Sequence, residues 1–136
     1  MAQMIFVNLP VKDLEKSKAF FVHLGYSINP QFTDENAACV VISEHIYAML
    51  LTHPRFKDFT PLEVSDATRS TEVLLCLSCE SRGRVDELVA RAVAAGGAAH
   101  MQPQDHGMMY GHGFTDPDGH IWEVMWMDQT AVQKPE

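Results

Sequence analysis

The sequence predicts an α+β fold made of two β-α-β-β-β modules. Three observations carry this reading. Short apolar runs bounded by turn residues mark strands along the whole chain. Two longer stripes at helical spacing, each opened by a capping residue and closed by glycine, mark helices. The order strand, helix, glycine stop, three strands then occurs twice, offset by about seventy residues. The two halves repeat in pattern and share little identity.

In the first half, Met4 to Val11 reads as a strand, with Pro10 near its end. Asp13 is placed to cap a helix whose apolar face carries Leu14, Ser17, Phe21 and Leu24, with Phe20 beside them. Gly25 stops it. Ile28 to Phe32, Ala37 to Ser43 and Ile46 to Thr52 follow as strands, separated by polar turns. This module spans 1–53. Residues 54–70 hold Pro54, Pro61 and no sustained period, and read as a connection with room for one helical turn. Phe56 and Phe59 are expected to anchor it, the alternative being that they pack over a pocket mouth.

The second module, 71–127, repeats the order. Glu72 to Cys79 reads as a strand, and Ser81 as a cap. Val85, Leu88, Val89 and Ala92 form a helical stripe that ends at Gly96-Gly97. Ala98 to Gln102, Met109 to Phe114 and His120 to Met127 complete the strands. The segment 128–136 is a polar tail.

The last hairpin is the most informative stretch. In Asp116-Pro117-Asp118-Gly119 the proline presets the backbone, the aspartates can accept from nearby amides, and the glycine admits positive φ. On the outgoing strand Trp122, Val124 and Trp126 face one way, while Ile121, Glu123, Met125 and Met127 face the other. One carboxylate, Glu123, therefore stands mid-strand among bulky apolar neighbours, and a buried charge there needs a partner.

An aromatic residue (Phe114), the Asp-Pro-Asp-Gly turn and the strand glutamate Glu123 together resemble the close of a vicinal oxygen chelate module. That superfamily includes glyoxalase I, extradiol dioxygenases, fosfomycin-resistance enzymes and bleomycin-binding proteins. The opening from Asn8 to Phe21 is similar to the start of such a module. The resemblance covers nearly the whole chain. It implies one domain of two modules, each curling a mixed sheet around a cleft, and pairing of modules within the chain or across a homodimer.

Metal-using members of the superfamily set two histidines and two glutamates around a divalent ion. By the resemblance, the first-strand histidine position falls on Phe6, and the fourth-strand glutamate position on Leu50, or on Leu51 if the register slips. The next position falls on Leu74, with Glu72 or Cys76 on its face, and the last on Glu123. Only Glu123 keeps its expected identity. An open metal site needs two or three protein ligands, so the expectation is no cofactor and no bound metal.

Composition narrows the partners. A formal net charge of -8 disfavours nucleic acid, which requires a basic footprint. No apolar run approaches the roughly 20 residues needed to span a bilayer, and the first residues lack a secretory pattern. With three cysteines, an odd number, the expectation is reduced thiols in a cytoplasm. Cys76 and Cys79 form a C-x-x-C, but residues three apart on a strand point to opposite faces, so the expectation for both is core packing.

Among the histidines, His23, His45 and His120 read as solvated or bonded to backbone. His106 and His112 flank the glycine-rich stretch entering the last hairpin, and Tyr110, His112 and Phe114 share one strand face. If that face meets the one carrying Glu123, a carboxylate, an imidazole and a phenol converge for acid–base work. Otherwise they are surface histidines and a core tyrosine. Phe6, Asn8, Leu50, Met108, Phe114 and Met125 are the candidate ligand-binding residues; methionines suit an adaptable apolar pocket. The resemblance thus implies a binder of a small organic molecule that works without the usual metal. The alternatives are a lyase or dioxygenase of glyoxalase type with an atypical metal site, and a metal-free acid–base enzyme using Glu123 and His112.

Overall fold

The first strand, β1 (Ile5–Val11), runs parallel to a strand four elements later, and this pairing makes the first sheet mixed. After β1 come α1 (Leu14–His23), β2 (Ser27–Asn29), β3 (Ala37–Val41) and β4 (Ile46–Thr52), in the sheet order β1-β4-β3-β2. The computed structural model describes residues 2–131, so the last five residues of the expected tail lie outside it. The chain divides into two compact units between Asp66 and Ala67.

Local chemistry sets the ends of α1. The Asp13 carboxylate accepts from the Lys16 amide at 3.1 Å, and Gly25 leaves the helix at a φ of 108°. Leu14, Phe20, Phe21 and Leu24 are buried with Leu9, Val11, Ala48 and Leu50 of the sheet. Each such aliphatic or aromatic side chain contributes roughly 1.5–3 kcal/mol when fully buried. The strand expected from Ile28 to Phe32 stops at Asn29. Pro30 has no amide for a ladder, and the Asn29 side chain accepts from the Gln31 amide at 3.0 Å, so Pro30–Phe32 turns as a 3₁₀ helix.

A short helix, α2 (His53–Lys57), supplies the helical turn in the connection. The second unit continues with β5 (Leu75–Ser78), α3 (Arg82–Ala94), β6 (Ala98–Asp105), β7 (Met109–Thr115) and β8 (Ile121–Met127). Its order, β5-β8-β7-β6, repeats that of the first, with β5 parallel to β8. The Ser81 hydroxyl caps α3 by accepting from Arg84 N at 3.1 Å. β5 is shorter than the expected run from Glu72, because its partner β8 begins at Ile121 and the ladder starts at Leu75↔Trp122. β6 is longer than expected and irregular between His100 and Gln104. Met101 sits there at a φ of 58°, unusual for a side chain of its size. Its carbonyl lies 2.9 Å from His112 Nε2, which must be the protonated nitrogen because a carbonyl only accepts.

The turn between β6 and β7 is tied to the start of α3. Arg82 makes a two-pronged pair with Asp105, at 2.8 and 3.0 Å, and donates to the Gly107 carbonyl at 2.7 Å. Its guanidinium also lies over the rings of Tyr110 and Trp126. The Arg82 bond, with the Gly107 amide next, holds the Asp105 carboxyl down at about 2. A depressed folded-state value means stability that is present above the ordinary carboxylate range and lost as pH falls toward that value. Asp105→Asn should therefore lower the melting temperature at neutral pH, and thermal melts of both proteins should converge as pH approaches about 2. A gap that is constant with pH would show that the pair contributes no charge-dependent stability.

Candidate functional site

Each sheet has one face against its own helix and one open face, and strand register assigns every candidate residue to one or the other. In the second unit Gly113 stands opposite Glu123, Gly111 opposite Met125, Phe114 opposite Trp122, and Tyr110 opposite Trp126. Directly opposed residues share a face. Glu123 and Met125 therefore lie on the open face with the two glycines. Tyr110, His112 and Phe114 lie on the helix side with Trp126, Val124 and Trp122.

The convergence of Glu123 with Tyr110 and His112 is thereby corrected. The Tyr110 hydroxyl donates to Asp86 of α3 at 2.6 Å, and His112 holds the β6 irregularity. Phe114 is 1% exposed and stacks on Trp122 at 6.5 Å between ring centroids, so it is core and not cleft. The sequence reading established that the three share a face. Which face required the register of β7 against β8.

Leu50 is corrected in the same way. It pairs with Leu9 on the helix side of the first sheet and is fully buried. The open face of that sheet carries Phe6, Asn8, Tyr47 and Met49: Phe6 opposes Tyr47, and Asn8 opposes Met49. Phe6 is half exposed and stacks on Tyr47 at 4.7 Å. Counted from the two caps, Asn8 corresponds to Cys76, and their partners Met49 and Glu123 correspond. The position equivalent to Glu123 is thus Met49, one residue before the expected Leu50; a one-residue slip reverses the face. Met108 is exposed in the turn before β7.

Across the second sheet one row reads Cys76, Glu123, Gly113, His100. Cys76 is exposed on the open face, which corrects the expectation that it packs in the core. Burial, then the neighbouring Glu123 charge, pushes its thiol up. Cys79, beyond the end of β5, is pushed up chiefly by burial. Neither favours the thiolate that metal binding or redox attack requires. The sequence reading assigned His100 no role. A Cβ at Gly113 would come within 3.6 Å of its ring, so His100 lies beside a glycine floor with Glu123 on the far side. Its place depends on the pairing of β6 up to the irregularity, which no local pattern encodes.

The Glu123 side chain is half-buried and makes no hydrogen bond or ion pair with another described residue. The superfamily's metal positions here hold Phe6, Met49, Leu74 and Glu123: two hydrocarbons, a soft thioether and one carboxylate. That set does not fit a divalent ion, whose open site needs two or three nitrogen, oxygen or thiolate donors. Among the described residues, no three His, Cys, Asp or Glu side chains stand together as a metal site requires.

The turn that begins β8 is built around Asp116. Its Oδ1 accepts from the Asp118 and His120 amides, both at 3.0 Å, and its Oδ2 from Trp122 Nε1 at 3.2 Å. Burial pushes this carboxyl up despite those donors. Gly119 closes the turn at a φ of 87°, and a Cβ there would meet the Thr68 amide nitrogen at 3.0 Å. The turn is thus also a seat for the backbone of Ala67 and Thr68. Beside that seat lies an open depression of about 570 Å³, bounded by 67–71 on one side and by Thr115, Asp116 and Ile121 on the other.

The fold and these motifs have known counterparts. A family model described as bleomycin resistance protein-like N-terminal matches residues 3–43. A hypothetical protein from S. aureus is 30% identical, with a TM-score of 0.78 over 93% of this chain and 94% of its own. A glyoxalase/bleomycin resistance protein/dioxygenase family enzyme from Burkholderia phytofirmans shares the fold at 19% identity and a TM-score of 0.78, over 93% of this chain and 99% of its own. So does an antibiotic binding protein from Streptomyces, at 20% identity and a TM-score of 0.66, over 93% of this chain and 97% of its own. No curated protein matches the chain in sequence. Among the described residues no helix is long and apolar enough to cross a membrane. With two mixed β-α-β-β-β sheets, the Asp-Pro-Asp-Gly hairpin and these counterparts, the chain has the fold shared by glyoxalase, bleomycin-resistance and dioxygenase proteins, the vicinal oxygen chelate fold, and its opening matches the bleomycin resistance protein-like N-terminal family.

Proposed function

We propose that the chain binds a small organic molecule on the open face of its second sheet, without a resident metal, and that Glu123 is the polar anchor. The observation that carries this is the Glu123 carboxylate itself. It is half-buried beside Met125, and no described side chain or amide engages it. A carboxylate in such a place is costly unless water or a ligand's donor answers it. Gly111 and Gly113 leave the sheet bare next to it, so a flat ligand can approach the backbone while Met125 adapts to its outline. Within the first unit, Asn8, Phe6 and Met49 form a face of the same kind on its own sheet. The antibiotic-binding counterpart is compatible with a binder, and the site is proposed for a cytoplasmic protein.

The test is Glu123→Gln in the full chain, with a panel of aromatic antibiotics including bleomycin as probes and thermal shift as the first readout. With no internal partner to lose, the melting temperature of the free variant should match the parent's. Affinity for a bound probe should fall tenfold or more, about 1.4 kcal/mol. A variant that melts lower yet binds equally well would make Glu123 structural. Stoichiometric zinc, nickel, iron or manganese in the purified protein would replace this reading with the metal-dependent one.

We also propose a homodimer. Ile5 and Phe6 on edge strand β1, and Val73 and Leu74 leading into edge strand β5, are exposed large apolar residues, and apolar edges are ordinarily covered. A clean monomer in solution at micromolar concentration would refute it.

A further inference from the structure

We infer that the depression beside the Asp-Pro-Asp-Gly turn is an oxyanion subsite, with Arg69 holding a carboxylate or phosphoryl group of the bound molecule. The inference rests on the ligand-binding reading above and adds a second pole to it.

Four observations meet here. Arg69 lines the depression and makes no hydrogen bond or ion pair with another described residue. Its planar fork of donors suits carboxylate and phosphate oxygens. Hydroxyl-bearing residues line the same depression: Ser70 and Thr71 come from the same segment, and Thr115 from β7. The segment is held in place, because Gly119 admits the backbone of Ala67 and Thr68 into close contact with the turn.

One carboxylate, Asp116, also borders the depression. It is 4% exposed, and its two oxygens are occupied by the Asp118 and His120 amides and the Trp122 indole. Three donors inside the turn engage it and it is buried, which leaves Arg69 as the exposed charge presented to a ligand.

The subsite and Glu123 belong to one surface. Thr115 opposes Ile121, and Ile121 lies two residues before Glu123 on the open side of β8. At the rise of a strand, two residues span about 6.7 Å. A molecule reaching both would carry its oxyanion at one end and a hydrogen-bond donor, such as an amine, at least about 7 Å away. Placed apart, opposite charges on the protein select orientation as well as affinity. The acidic chain repels free anions at long range, so a ligand with both poles is better matched than a simple anion.

The experiment is an amide chemical-shift titration of the full chain with inorganic phosphate and, separately, acetate, at constant ionic strength. Saturable shifts should appear for residues 68–71, Thr115 and Gly119. Arg69→Gln should weaken both anions at least tenfold; the residue is exposed and unpaired, so the fold is retained. Glu123→Gln should weaken neither, since it removes only a like charge near the site. Shifts that fail to saturate, that spread over the surface, or that survive Arg69→Gln would overturn the subsite. Because the titration does not involve Glu123, its failure leaves the Glu123 anchor standing. Conversely, loss of the anchor with the anion shifts intact would sink the anchor alone.

Discussion

Phe114→Ala should destabilise the protein by about 3–5 kcal/mol, with little change in ligand affinity of the molecules that remain folded. Phe114 is 1% exposed, stacks on Trp122, and lies on the side of its sheet that α3 covers. Truncation removes most of a ring from a close-packed region, and the loss combines transfer free energy with the cost of the cavity left behind. Urea denaturation followed by tryptophan fluorescence would measure it, since the ring lies against an indole. A loss below about 1 kcal/mol, accompanied by tenfold weaker binding of an aromatic probe, would restore Phe114 to the binding surface where the motif alone had placed it.

Asp116→Ala should cost about 3 kcal/mol for a different reason. The change deletes the acceptor for three donors at once: two turn amides and the Trp122 indole N–H. The indole belongs to a residue 3% exposed, so water reaches it poorly, and an unsatisfied buried donor costs roughly 1–3 kcal/mol. Asp116→Asn should cost less. Its side-chain oxygen can still accept from both amides, and only the indole then faces another donor. Equal losses in the two variants, measured by the same denaturation, would mean that the turn's amides contribute little. Anion binding at Arg69 should weaken in the Ala variant if the turn loosens, because Gly119 seats the segment that carries it.

Much of the fold was legible because its signals are local. Caps are chosen by short side chains that reach back to nearby amides, and Asp13 and Ser81 do so as read. Glycines that end helices at positive φ, and alternation along β8, depend on neighbours in sequence alone. The errors had two sources: locally, an apolar run does not become strand through Pro30, and at long range β5 pairs only as far as β8 extends.

The site was legible only in part. From the sequence by itself come the superfamily architecture, the turn, and the separation of Glu123 from the tryptophans on its strand. Tertiary structure decided the rest, because a side chain's face depends on which residue of the next strand lies opposite. That pairing put Tyr110, His112 and Phe114 behind the sheet, exchanged Leu50 for Met49, and brought His100 to the edge of the glycine floor. Tertiary packing also set Arg69 beside the hairpin, since the Ala67–Thr68 backbone of its segment, which has no periodic signal, lies against Gly119. Periodicity gives the relative direction of side chains within one strand, and only hydrogen bonding between strands turns that into a common surface.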